Sequence, residues 1–303
     1  MADYQEYRRR ILHKRWRRRF IVAALLVLLI LLGAMGTMWQ VLHRAQASDR
    51  TAEISILQQA VPGNEWNTIR YTPARQISVQ TRADGTTAMD FRLAALPASD
   101  PVDRSVFAQD SFLGDSLTQG MQMYSTGLPH AMFCAYKGVG PNAVVNGTSC
   151  KRADGVKEVP MEALAAQQPK NLYVLLGTNV LNRDGDYSSF LTYYRLMLDM
   201  LSQSLPNTHI YVQSITPVRP EVRQTHPGLY KERLCEINNE LAAIALEKGC
   251  SFLNLWEVLA DENGDLRAEY AQPDGYHIKM DGYTVWVDYL RTHRVAENVA
   301  AAA

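Results

Sequence analysis

The chain has 303 residues, enough for one large domain or two small ones, and its 47% hydrophobic content is that of an ordinary globular protein. Its 31 basic and 31 acidic residues cancel, which excludes a chain that is basic throughout. The balance hides an asymmetry: residues 1–50 hold ten Lys/Arg and three Asp/Glu, a net of +7, and the remaining 21 basic and 28 acidic residues give −7.

Basic residues concentrate at positions 8–19, and positions 20–39 follow as twenty residues without a charge. A run of that length spans a bilayer as one helix, so a transmembrane helix is predicted over 20–40. The cluster before it predicts that 1–19 is a cytoplasmic basic segment and that the rest of the chain lies outside the membrane. Trp16 and Trp39 bracket the run, where interfacial aromatics belong. Beside such a run the basic cluster reads as a topology signal, so no nucleic-acid partner is expected. Ala45-Gln46-Ala47 before Ser48 is a small-x-small pattern of the kind signal peptidases cut, but signal-peptide apolar regions are shorter, about 7–15 residues. A single-pass anchor in the cell membrane is therefore expected in preference to a cleaved, secreted form.

Residues 41–105 read as a stalk or linker. Pro62-Gly63-Asn64 breaks any outward continuation of the membrane helix. Segments 77–81 and 87–93 flank Ala83-Asp84-Gly85-Thr86, the pattern of a β-hairpin; an extended linker is the alternative. Pro97 and Pro101 mark the approach to the main domain, expected over 106–293, with 294–303 as a tail.

In the main domain apolar strands alternate with amphipathic helices. Strand candidates are 105–113, 131–136, 171–176, 209–215 and 251–255. Helical stretches are 156–168, 187–204, 229–248 and 282–291. Within the second, Phe190, Tyr194, Met197, Leu198 and Leu201 share a face; the third ends at Gly249 as a C-cap. This alternation predicts an α/β three-layer sandwich, with a mainly parallel five-stranded sheet and helices on both faces. Ligands on such a sheet bind beyond the carboxyl ends of the strands.

The first main-domain strand runs into Phe112-Leu113-Gly114-Asp115-Ser116-Leu117-Thr118. Gly114 and Asp115 favour a sharp turn, and the residues after Ser116 can open a helix. Ser116 is thus predicted at the carboxyl edge of the sheet, near helix N–H groups that favour negative charge. A nucleophile for acyl groups needs both properties. Gly138-Val139-Gly140 and Gly177-Thr178-Asn179 follow the next two strand candidates, and Asp274-Gly275-Tyr276-His277 precedes the last helix. Together these segments hold a nucleophile, a base, a carboxylate to orient it and further oxyanion donors. Gly-x-Ser-x-Gly is absent, since position 118 is Thr, which argues against the larger nucleophile-elbow lipases. No phosphate loop, dinucleotide fingerprint or zinc-ligand pattern occurs, and no cofactor is expected.

The four segments, in this order, resemble the SGNH (GDSL-type) hydrolases, a family named for Ser, Gly, Asn and His in four blocks. The resemblance covers residues 106–293. Either Gly138 or Gly140 matches the second block. In the third, Val180 stands where the family's Gly-x-Asn-Asp pattern has its acidic residue. The resemblance implies a flavodoxin-like fold and a serine esterase. Ser116 would be the nucleophile, His277 the general base and acid, and Asp274 the carboxylate that fixes its tautomer. The backbone N–H of Ser116, that of Gly138 or Gly140, and the Asn179 amide would form the oxyanion hole. Location outside the membrane and family analogy point to an acyl-ester substrate, with a small acyl group, acetyl above all, on envelope or extracellular carbohydrate. O-acetyl transfer and lysophospholipase action would use the same site; a catalytically silent binding module is the reading of another class.

Segment 216–228, with three prolines, Arg219, Arg223 and His226, follows a strand and is expected to overhang the site. Asp281 is expected to cap the last helix. Cys134 and Cys150 bracket the second block, as a disulfide or as two thiols. Cys235 and Cys250, about 20 Å apart along one helix, cannot pair.

Overall fold

The computed structural model describes residues 80–81, 87–88, 90–124, 126–128 and 130–295, all inside one of the chain's two units, Glu53–Ala303. The expected cytoplasmic segment, the membrane helix and the stalk as far as residue 79 lie outside the described residues. Among the described residues no helix is long and apolar enough to cross a membrane.

β1 (Gln80–Thr81) and β2 (Thr87–Ala88) pair antiparallel around the Asp-Gly segment, as the hairpin pattern requires. The rest of the second expected strand coils instead into α1 (Phe91–Ala94), because Asp90 caps it by accepting from the Arg92 N–H. A 3₁₀ turn over Arg104–Gln109, capped by Asp103, takes up the first half of the strand expected from 105. β3 covers only Asp110–Gly114. α2 (Ser116–Met123), β4 (Met132–Ala135) and α3 (Pro141–Val145) follow, the last too short to show a helical period. β5 (Cys150–Lys151) pairs antiparallel with β6 (Lys157–Glu158). The helix expected from 156 therefore begins later, as α4 (Pro160–Gln167); proline suits the first helical turn and keeps its predecessor extended. Next come β7 (Asn171–Leu175), α5 (Ser188–Ser204), β8 (His209–Gln213) and a 3₁₀ turn over Pro220–Gln224. α6 (Lys231–Glu247) ends before Gly249, whose φ of +69° is the left-handed cap expected there. β9 (Ser251–Leu253), α7 (Trp256–Leu259) and α8 (Met280–Thr292) complete the chain order.

The main sheet has the order β4-β3-β7-β8-β9 with every pair parallel. Alternate side chains of one strand enter two different cores: Leu172 and Val174 of β7 join α5 and α6 on one face, and Tyr173 and Leu175 join α2 and α8 on the other. This makes the fold a three-layer α/β sandwich. On the second face Phe133, Phe112, Tyr173 and Tyr211 stack across four adjacent strands, with centroids 5.1, 4.9 and 4.7 Å apart. Each such contact adds about 0.5–1.5 kcal/mol beyond area burial. β3 lies between β4 and β7, so the chain's direction across the sheet reverses there, and sheets of this kind bind ligands at the carboxyl end of such a switch point.

The packed domain extends past both expected limits. Phe91 is 2% exposed and sets its ring edge-on to Phe252 and Trp256. Leu96, Ser99 and Val102 donate backbone hydrogen bonds to Phe252, Thr292 and Arg291. Residues 90–105 are thus not a linker: their prolines suit a strap pinned by carbonyls of β9 and α8. At the other end Arg294, expected in the tail, donates to buried Asp110 at 2.7 Å and to the Tyr173 hydroxyl at 2.6 Å. All four cysteines are thiols. Cys134 faces Gln167 and Cys150 faces the Thr148 carbonyl.

Candidate active site

β3 ends at a glycine because nothing larger fits. A Cβ at Gly114 would overlap Thr118 Oγ1 and come within 2.8 Å of the Leu175 carbonyl. Asp115 then caps α2, its Oδ1 accepting from the Leu117 N–H at 3.0 Å. Ser116 is the first residue of α2, where N–H groups have no partner within the helix. The helix is fixed from behind by Tyr283 of α8, whose hydroxyl donates to the Leu117 carbonyl at 2.8 Å.

The histidine arrives from the loop before α8. Gly275 adopts φ +81°, the left-handed conformation glycine tolerates without strain. Its carbonyl accepts from the Arg219 N–H at 2.8 Å, and the Gln272 N–H donates to the His277 carbonyl at 2.8 Å. Asp274 closes the loop: Oδ1 accepts from the N–H groups of Tyr276 and His277, and Oδ2 meets His277 Nδ1 at 2.7 Å. These hydrogen bonds outweigh partial burial and hold the Asp274 carboxyl below the ordinary carboxylate range. The opposite ring nitrogen, Nε2, lies 2.9 Å from Ser116 Oγ. Asp281 is the second residue of α8 and not its cap; that place falls to Lys279, without a side-chain bond.

Asn179 follows β7 and turns its amide towards Ser116's own turn. Nδ2 donates to Asp115 Oδ2 at 2.8 Å and, more weakly, to the Val139 carbonyl at 3.3 Å. Asp115 was visible in the sequence only as a turn residue; its partnership with Asn179 is what the structure adds. The Asp115 carboxyl is fully buried, which pushes its pKa up to about 7 against the opposing pull of the Leu117 and Asn179 donors. The two candidate glycines differ. Gly138 is exposed at φ +80°, and a Cβ there would meet nothing. Gly140 is buried, and a Cβ would sit 2.6 Å from Val180 Cγ1. Val180, in the place of the expected acid, therefore forms the wall against which Gly140 packs. Segment 216–228 braces the histidine loop: the Arg219 N–H donates to the Gly275 carbonyl, and the His226 ring lies 5.0 Å from that of Tyr276. Arg219 donates to the Leu266 carbonyl and pairs with Asp261, and Arg223 lies over the Tyr230 ring.

Residues 112–285 match the sequence profile of the GDSL-like lipase/acylhydrolase family. The chain belongs to that family. Several solved structures are similar to this GDSL-like acylhydrolase. One, from Streptococcus pneumonia and described as a platelet activating factor, is 18% identical, with a TM-score of 0.50 over 62% of this chain and 89% of that one. A GDSL-like lipase from Bacteroides thetaiotaomicron is 15% identical, with a TM-score of 0.46 over 64% and 87%. An acetyl xylan esterase is 13% identical, with a TM-score of 0.45 over 60% and 96%. No curated protein matches the GDSL-like chain by sequence.

Proposed function

We propose that this acylhydrolase is a serine esterase, anchored in the membrane, that removes a small acyl group, acetyl above all, from an oxygen ester on envelope or extracellular carbohydrate. The observation that carries the catalytic part is the continuous relay from Ser116 Oγ through both His277 nitrogens to Asp274, with contacts of 2.9 and 2.7 Å. The basic segment and apolar run at positions 8–39 support the outward location. Carbohydrate and acetyl follow from that location and from family analogy.

Asp274 accepts a hydrogen bond from Nδ1–H and so fixes the tautomer, which leaves Nε2 of the neutral ring to accept from the serine hydroxyl. As Ser116 Oγ bonds to the ester carbonyl carbon, its proton passes to Nε2 and negative charge develops on the carbonyl oxygen. The Ser116 and Gly140 N–H groups and the Asn179 amide stabilise that oxyanion; one such donor contributes about 2.7–4 kcal/mol. Gly140 is preferred over Gly138 because it is buried beside Val180, next to Asn179. For Asn179 to donate, its weaker bond to Val139 must open. Collapse of the intermediate expels the alcohol, which takes the proton from Nε2. Water then repeats the cycle on the acyl-enzyme and releases the acid.

The full chain should hydrolyse p-nitrophenyl acetate, and Ser116→Ala should abolish turnover while leaving the circular dichroism spectrum unchanged. Equal turnover by the alanine variant would move the protein to the class of catalytically silent binding modules.

A further inference from the structure

Behind the histidine the bracing segment and the 272–276 loop line an open cavity of about 610 Å³. Its walls expose more apolar than polar surface, with Ala268, Ala271 and Pro273 beside Glu221, Thr225, His226, Gln272 and Tyr276. The cavity's place is set by the relay itself. Ser116 contacts Nε2 and Asp274 contacts Nδ1, so Asp274 and the cavity it lines sit across the imidazole from the nucleophile.

The aromatic groups there are held in series. The Tyr276 ring lies 4.3 Å from that of His277 and 5.0 Å from that of His226, centroid to centroid. His226 is oriented by a 2.9 Å contact between its Nδ1 and Thr225 Oγ1. The Tyr276 hydroxyl makes no hydrogen bond within the described residues. The arginine that lines the cavity, Arg219, is already engaged by Asp261 at 3.4 Å, Glu221 at 3.8 Å and the Leu266 carbonyl at 2.9 Å. That guanidinium is committed to protein oxygens and is not held ready for a phosphate. Polar groups such as the Thr225 hydroxyl and the Gln272 amide, set among apolar and aromatic surface, are what a polyhydroxylated ring with an apolar C–H face needs.

We infer that this cavity is a subsite for neutral sugar rings of the acceptor, entered by an oligosaccharide whose ester lies at Ser116. The inference rests on the esterase reading of that site. Because the cavity opens beyond His277, one ring cannot serve both places, and the substrate must have several. Tyr276 and His226 are binding residues here, with no part in proton transfer.

The test uses the full-length chain carrying Ser116→Ala, titrated calorimetrically with glucose, with cellotetraose as a neutral β-linked probe, and with glycerophosphocholine. Cellotetraose should bind at least about tenfold more tightly than glucose, and His226→Ala in the same background should weaken it about tenfold; both thresholds are one decade in Kd. Equal affinity for glucose and cellotetraose, or no binding of either, overturns the subsite. Preferential binding of glycerophosphocholine overturns it in favour of a lipid head group. If His226→Ala does not fold, the comparison of the two sugars still decides. Hydrolysis of p-nitrophenyl acetate by the unsubstituted chain judges the esterase reading separately, so the two failures are distinguishable.

Discussion

Two carboxylates lie within four residues of His277 in sequence, and only their contacts separate their roles. Asp274 accepts three hydrogen bonds from the loop and its imidazole, whereas Asp281 sits in the first turn of α8. Asp274→Asn should lower esterase turnover by about 10⁴, the loss known for the corresponding change in the serine-protease template. Asp281→Asn should cost about 0.3–1 kcal/mol of helix-dipole stabilisation and little activity. Steady-state hydrolysis of p-nitrophenyl acetate and urea melts separate the two; near-normal turnover by Asp274→Asn would refute the relay. Asp115 supplies a pH test. Its folded pKa of about 7 lies above the ordinary carboxylate value of 3.8, so between those values the folded state binds the extra proton. The stability this group confers is fully present below about pH 4 and is lost as pH rises through 7. Asp115→Asn removes that dependence. The variant should therefore lose at least about 1 kcal/mol more, relative to the unsubstituted chain, near pH 5 than near pH 8. Equal differences in urea midpoints at the two pH values would show that Asp115 titrates normally.

At the scale of elements, α1 is the piece most unlike its expectation. Four residues cannot hold a helix by themselves; α1 exists because Asp90 caps it and Phe91 is seated against Phe252 and Trp256. The Phe91 N–H also donates to Asn239 of α6 at 3.0 Å. Phe91→Ala should therefore destabilise the domain by about 3–5 kcal/mol, as deletion of a buried aromatic does. Denaturant melts check this, and a loss below about 1 kcal/mol, the range of surface changes, would return the segment to the status of a linker.

For the whole molecule the proposal to test is that a membrane anchor holds the acylhydrolase domain on the outer side. The basic cluster and the uncharged run at positions 8–39 motivate the proposed topology. Protease added to intact cells making the full chain should digest the domain and leave residues 1–19 protected. A protected domain would overturn the outward topology and, with it, the envelope-carbohydrate acceptor, while leaving the relay at Ser116 untouched.

Local chemistry made much of this protein legible. Strand–helix alternation is a short-range pattern, and it identified the five parallel strands to within a few residues at most ends. The buried face of α5 was read residue for residue. Ser116, Asn179 and the Asp274–His277 turn were each marked by the residues beside them. Tertiary structure decided what depends on segments far apart in the chain. Asp115 meets Asn179 across 64 positions, Arg294 reaches Asp110 across 184, and Val180 packs against Gly140. A turn or a helix leaves its signature in neighbouring residues because neighbours make its hydrogen bonds. A buried carboxyl, a strap or a packed glycine leaves none, because its partners are supplied only when the sheet brings distant strand ends together.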